Sequence, residues 1–262
     1  MARKLILVSN DDGYLAPGLR VLMKVAAEFG EVVAVAPDRA QSTTSHALTM
    51  REPLFVSKKE ETAEWSLYTC SGLPADCIKF AMHEVVSRKP DLILSGINHG
   101  ENASCSALYS GTVAVAAEGC LHHVPAIAFS VASPDQQADV SPYIPVVREI
   151  IRKVLQDGLP TGSCLNVNIP EVPAAELRGI RLCRQARGYW NEEYCRHEDP
   201  SGRPYYWLSG FFVNKEPEAE DTDVWAGTHG YVSMVPMQAD MSDYAALDAL
   251  NAAWPDWRQV GK

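Results

Sequence analysis

Two adjacent carboxylates, Asp11 and Asp12, stand directly after a short apolar run, Lys4 to Ser9, and are followed by Gly13. Neighbouring aspartates repel, and holding both ionised becomes far easier when a cation lies against the pair. Aspartate, serine and asparagine offer only oxygen, which suits hard ions such as magnesium, manganese or calcium. An Asp-Gly turn with Asp11 capping a helix accounts for the same three residues without chemistry. Position at the end of the first strand brings the metal reading level with that alternative: in open parallel sheets, ligands bind beyond the carboxyl ends of the strands. A second element is Tyr109-Ser110-Gly111-Thr112, at the start of an alanine- and valine-rich segment. If that segment is a helix, its free amides, its positive end and the hydroxyls of Ser110 and Thr112 make an anion site, with Gly111 allowing close approach; an ordinary Ser/Thr N-cap is the alternative. A metal and an anion site on one rim suggest phosphoryl transfer to water, with Asp11 or Asp12 orienting or deprotonating it. The loop Gly96-Ile97-Asn98-His99-Gly100-Glu101-Asn102 and the segment Pro37 to Ser42 are the other polar stretches that follow apolar runs.

Something must bring these loops together, and the hydrophobic pattern supplies it. Lys4–Ser9 reads as a buried strand, Pro17 opens a helical pattern that Gly30 closes, and Glu31–Ala36 is a second strand. Strand, helix, strand is a βαβ unit and implies a parallel sheet. The alternation continues through a helix from Pro74 to about Val86, a strand at Asp91–Ser95, a helix at Gly111–Leu121, a strand at Pro125–Val131, a helix at Pro142–Leu155 and a strand at Cys164–Ile169. An open α/β sheet with helices on both faces is therefore expected. Residues 46–70 break the pattern and read as an antiparallel insertion. After about Gly188, Tyr189, Trp190, Tyr194, Tyr205, Tyr206, Trp207, Phe211 and Phe212 crowd around a Pro-Ser-Gly-Arg-Pro turn, which predicts an aromatic hairpin. Glu216–Asp223 reads as a solvated acidic loop, Ser71-Gly72 as the cap of the following helix, and Asp243–Ala253 as a terminal helix. The domains expected are a catalytic α/β unit over residues 1–187 and an arm with the C-terminal segment over residues 188–262.

Composition narrows the function classes. The 262 residues are 47% hydrophobic and 21% charged, with 33 acidic against 23 basic side chains and a net charge of -10. Such a chain repels polymeric nucleic acid on average, while a small phosphate remains possible through one bound cation. Seven cysteines, an odd number without a Cys-x-x-Cys, argue for reduced thiols in a cytoplasm. No apolar stretch approaches the roughly 20 residues of a membrane span, and no signal-peptide pattern opens the chain. Walker A and Gly-x-Gly-x-x-Gly motifs are absent, which leaves ATPase and dinucleotide readings unsupported.

Taken together, ILVSNDDGYLAPGL (Ile6–Leu19), APDRAQS (Ala36–Ser42), SGINHGEN (Ser95–Asn102), YSGTVAVAAEG (Tyr109–Gly119) and TDVWAGTHGYVSMVP (Thr222–Pro236) resemble the SurE family, the survival-protein 5'/3'-nucleotidases. The resemblance implies a Rossmann-like, mostly parallel sheet with a protruding aromatic hairpin. It implies one divalent ion per subunit, magnesium or manganese, on Asp11, Asp12, Ser42 and Asn98. It places Asn10, Gly13, Asn102, Ser110, Gly111 and Thr112 around a phosphate pocket. The implied activity is hydrolysis of nucleoside 5'- and 3'-monophosphates, in a homodimer or homotetramer with exchanged C-terminal elements. A non-catalytic nucleotide-binding regulator, or the same site acting on short polyphosphate, are the alternatives. Two positions depart from the family pattern: Thr43 stands where glycine is usual, and Leu73 where threonine is usual.

Overall fold

The computed structural model describes residues 3–133, 135 and 137–254. Its centre is a nine-stranded sheet. The first strand, β1 (Lys4–Ser9), pairs in parallel with β2 (Gly30–Pro37) on one side and with β5 (Leu92–His99) on the other. Beyond β5 come β6 (Ala126–Val131) and β7 (Ser163–Ile169), also parallel. Beyond β2 lies β4 (Trp65–Cys70).

The antiparallel insertion expected over residues 46–70 holds for the pair of strands at its end and is corrected over the rest. β4 runs parallel to β2, and only β3 (Val56–Glu61) turns back on β4 in the antiparallel sense; residues 46–55 form no strand. At the opposite edge, β8 (Ile180–Leu182) and β11 (Val232–Gln238) complete the sheet, with β11 antiparallel to β7.

The central strands are apolar on both faces, as a sheet covered on both sides requires. Ile6 and Val8 pack on one side with Leu19 and Leu22 of α1 (Pro17–Ala27) and Val147 and Ile151 of α4 (Ile144–Asp157). Leu5 and Leu7 face the other way, into a core with Cys77 and Ile78 of α2 (Pro74–Phe80) and Val115 and Ala116 of α3 (Gly111–Leu121). The helix from Pro74 keeps its α form only to Phe80 and continues as a wider π turn over Ala81–Val85. Its cap is not Ser71-Gly72: the Asp76 carboxylate accepts from the Leu73 N–H, and Ser71 Oγ accepts from the Phe55 N–H.

The hairpin, β9 (Gly188–Glu198) with β10 (Pro204–Asn214), pairs only with itself. The chain then passes through α5 (Asp223–Thr228), enters the sheet as β11, and ends in α6 (Tyr244–Ala253), which buries no residue. Among the described residues no helix is long and apolar enough to cross a membrane.

Candidate functional site

From β1 the connections run outward to β2 and β4 on one side, then return to β5 and continue to β6 and β7 on the other. The order therefore reverses between β1 and β5, and the crevice beyond their carboxyl ends is the place such sheets reserve for ligands. Asn10 to Gly13 leave β1 at this point, and Asn98 is the penultimate residue of β5.

Asn10 is fully buried, and its amide is spent on shaping the turn: Nδ2 donates to Gly13 O at 3.0 Å and Oδ1 accepts from Gly13 N at 3.2 Å. Gly13 takes φ +96°, a conformation only glycine adopts without strain. These two residues set the direction of the aspartates and use one of the two Nδ2 hydrogens of Asn10 together with its Oδ1.

Asp11 is buried at the N-terminus of α3. The Thr112 hydroxyl donates to its Oδ1, and the Gly111 and Thr112 amides also face it. A Cβ on Gly111 would lie 2.7 Å from Asp11 Cβ and 3.0 Å from Oδ2, so glycine is what lets helix and aspartate meet. Here the structure departs from the expected phosphate site. Thr112 is fully buried, and the start of α3 is turned toward Asp11, because a fixed carboxylate is the nearest anion to its positive end. Ser110 caps the helix by accepting from Val113 N at 3.1 Å, and it borders the cleft.

Burial raises the Asp11 carboxyl above its ordinary value despite these donors, and burial together with the Asp11 charge pushes Asp12 up to about 6. Asp12 Oδ2 is buried without a hydrogen-bond partner. Glu101, which lines a cleft with Asp11, is also raised, by loss of solvation around its carboxyl and then by Asp223.

Asn98 gives its Nδ2 to the carbonyls of His99 (3.3 Å) and Gly100 (2.7 Å), leaving Oδ1 for another partner. Ser42 sits on an exposed turn fastened on both sides. The Gln41 N–H donates to Asp11 O at 2.7 Å, while Ser45 donates through N to Tyr109 O at 3.0 Å and through Oγ to Leu108 O at 2.6 Å. One residue further, His46 Nε2 lies 2.7 Å from Glu118, a buried carboxylate on α3 that also meets Lys79 at 3.1 Å and His122 at 3.7 Å. Thr43 takes φ +60°, in the region that favours glycine.

Asp11, Ser42, Asn98, Asn102 and Ser110 line one cleft of about 740 Å³. Asn102 lines it from a buried network: its N–H donates to Asn168 Oδ1 at 2.7 Å and its Nδ2 to Ser130 Oγ at 2.9 Å. One side-chain donor thereby goes to β6 and its backbone N–H to β7. Sequence reasoning passed over two groups. The hairpin supplies Trp190, Glu192, Leu208, Ser209 and Gly210 to the cleft wall. Asp223, the last residue of the acidic run read as solvated, is buried and accepts from the N–H groups of Ser104 and Ala186, both at 2.8 Å.

Residues this crowded with carboxylate fit a dication. Among the described residues no three His, Cys, Asp or Glu side chains converge as a metal-holding group, so an ion here would rest on two carboxylates and neutral oxygens. The orphaned Asp12 Oδ2, the free Asn98 Oδ1 and the raised carboxyls are what such an ion would satisfy and reverse.

Comparison with known proteins agrees along nearly the whole chain. The family described as survival protein SurE matches residues 6–192. The chain is 46% identical over 252 residues to the 5'-nucleotidase SurE of Flavobacterium psychrophilum, covering 96% of this chain and 98% of that one. It is 47% identical over 255 residues to the protein of the same name from Cytophaga hutchinsonii, covering 97% and 98%. The crystal structure of the SurE protein from Aquifex aeolicus superposes with a TM-score of 0.81 at 36% identity, over 95% of this chain and 99% of that one.

Proposed function

The chain belongs to the SurE family, and from that premise we propose that it is a 5'-nucleotidase, releasing inorganic phosphate from nucleoside monophosphates in a divalent-metal-dependent reaction. The observation that carries the metal dependence is the Asp11–Asp12 pair at the switch point, with Asp12 Oδ2 buried and unpartnered. Asp11, Asp12, Ser42 and Asn98 would hold the ion, magnesium or manganese. When bound, such an ion polarises a phosphate oxygen and lowers the pKa of a bound water.

The chain's own residues do the rest. Thr112 and the first amides of α3 lock Asp11 in one orientation. We assign to Asp12, next to the locked Asp11, the orientation of the attacking water and the acceptance of its proton. No lysine or arginine is among the described residues lining the cleft, so phosphate charge is met by the ion, by serine hydroxyls and by backbone amides.

The test is phosphate release from AMP or GMP with manganese or magnesium, repeated after EDTA. Release is expected to stop in EDTA and to return with added ion; undiminished release in EDTA overturns the metal role.

The same reading extends to assembly and compartment. Tyr194, Trp207 and Phe211 on the hairpin are 67%, 66% and 56% exposed, more apolar surface than a lone arm normally leaves in water. We take residues 188–262 as the part through which subunits exchange elements in a dimer or tetramer. The seven free thiols favour a reducing cytoplasm.

A further inference from the structure

The cleft has two chemically different ends. One is the oxygen-rich rim around Asp11, Ser42 and Asn98; the other is the hairpin wall, with Trp190, Leu208 and the carboxylate Glu192, and Glu101 of the loop after β5 lines the same cleft. A volume of about 740 Å³ exceeds what one phosphate fills and lies within the range of small-molecule sites.

Trp190 is 44% exposed yet fixed in place. Its Nε1–H donates to Ser106 Oγ at 3.1 Å, and Phe212 packs edge-on against it, with ring centroids 6.1 Å apart and planes at 64°. An aromatic ring held this way by its own fold loses little freedom when a flat ligand stacks on it.

Charge selects the ligand further. With no lysine or arginine among the described residues lining the cleft, the further phosphates of a polyanion would meet, beyond the ion, only His99, hydroxyls and backbone amides, and would face Glu101 and Glu192. A nucleoside is neutral, and its hydroxyl and amino groups are donors that carboxylates accept.

We propose that this wall is a nucleoside subsite, in which Trp190 stacks the base while Glu101 and Glu192 accept from the nucleoside and turn away polyphosphate. The proposal rests on the nucleotidase reading and adds the residues that make the substrate a nucleotide rather than any phosphate ester.

The experiment compares kcat/KM for AMP, ribose 5-phosphate and tripolyphosphate with manganese, in the wild type, Trp190→Ala, Trp190→Phe and Glu192→Gln, together with competitive inhibition by adenosine. Base–aromatic stacking of the usual strength predicts that Trp190→Ala lowers kcat/KM for AMP about tenfold and weakens adenosine inhibition to match. Ribose 5-phosphate, which lacks the base, is expected to change less than about twofold. Trp190→Phe keeps a ring face and should retain most of the preference for AMP. Glu192→Gln should raise tripolyphosphate hydrolysis relative to AMP.

Equal losses on AMP and ribose 5-phosphate in Trp190→Ala would overturn the subsite, as would a wild type that treats the two alike or is not inhibited by adenosine. A wild type that hydrolyses tripolyphosphate but neither AMP nor ribose 5-phosphate would overturn the nucleotidase reading itself.

Discussion

The rim at the switch point and the hairpin that overhangs it are built on opposite terms. At the rim, charged and polar groups are buried and tightly held: Asp11 is 4% exposed and bonded to Thr112, Glu118 is 1% exposed and paired with His46 and Lys79, and Asn10 is closed on Gly13. On the hairpin, apolar rings stand in water, and the two strands pair with nothing else. The rim thus stores unfavourable electrostatics that a ligand relieves, and the arm stores unfavourable solvation that another surface relieves. Each region is incomplete alone, and the two deficits call for different partners, an ion in one case and a protein surface in the other. Trp190, Glu192 and Leu208 of the hairpin belong to both regions because they line the cleft; perturbing the exposed rings outside it, such as Trp207, should leave the ion site untouched.

The largest effect is expected at the rim. Asp12→Asn keeps the size of the side chain and removes half the charge that would hold the ion. Loss of several kcal/mol of transition-state stabilisation corresponds to roughly a thousandfold in kcat/KM. Phosphate release from AMP at saturating manganese measures it, and a variant within about tenfold of the wild type would remove Asp12 from the metal site. On the arm the counterpart is Trp207→Ser, a truncation of an exposed ring. If that ring is an interface anchor, subunit dissociation should become about thirtyfold easier, the effect of losing about 2 kcal/mol. Sedimentation velocity reads this, while the unfolding midpoint of the dissociated chain stays where it was. A fall in that midpoint would show that the ring stabilises its own chain.

The contrast between these regions also explains what the sequence could disclose. The rim was legible because its positions follow from strand ends: an apolar run that stops at Asn10-Asp11-Asp12, and another that carries Asn98, must converge once the sheet is parallel. What Thr112 faces was not legible, since a helix start advertises an anion site without naming the anion, and here the anion is Asp11. Asp223 was hidden in an acidic run whose other members pair near the surface, Glu216 and Asp221 with Arg184. β4 read only as part of an antiparallel insertion because its pairing with β3 is local, while its parallel partner β2 is set by the sheet and leaves no mark in the neighbouring sequence. β11 was obscured by Pro236, a residue that argues against a strand until its exposed position is known. The aromatics announced a hairpin, but only the fold carries Trp190 back to the cleft of its own chain.

Acidity sharpens the electrostatic half of the comparison. A carboxyl raised in the folded state binds its proton more tightly there than in the unfolded chain, so ionising it costs stability. For Asp12 that cost is absent below the unfolded value near 3.8, grows as the pH rises, and is complete above about 6. In EDTA, Asp12→Asn should therefore be more stable than the wild type at pH 7, by roughly 2–3 kcal/mol for a shift of this size, and close to it at pH 4. Urea unfolding of the pair at both values is the check, and an advantage that does not change with pH would mean that the pair carries no stored repulsion. Glu118→Ala acts in the opposite direction. Burial alone would raise this carboxyl, but His46 and Lys79 outweigh it and hold it below its ordinary value. Its loss leaves Lys79 and His46 without their partner. Because both are more than a third exposed, solvent screens the cost to about 1–2 kcal/mol. The same variant should weaken manganese binding severalfold, because His46 helps to fasten the turn that carries Ser42.

The smallest effect is expected at Thr43, where the rim stores backbone strain rather than charge. A β-branched side chain at φ +60° is strained by roughly 1–2 kcal/mol. Its hydroxyl donates to Ser42 O at 2.7 Å in an exposed position, which returns about 0.5 kcal/mol. Thr43→Gly removes both and adds freedom to the unfolded chain worth about 0.5–1 kcal/mol. These nearly cancel, so thermal unfolding should rise by no more than about 2 °C. Binding should move the other way: the threonine stiffens the turn next to Ser42, and glycine should raise the manganese concentration for half-maximal activity about two- to threefold, a change of about 0.5 kcal/mol. A variant that binds manganese more tightly would show that Thr43 crowds the ion rather than steadying its ligand, and that the rim tolerates this residue at the expense of function.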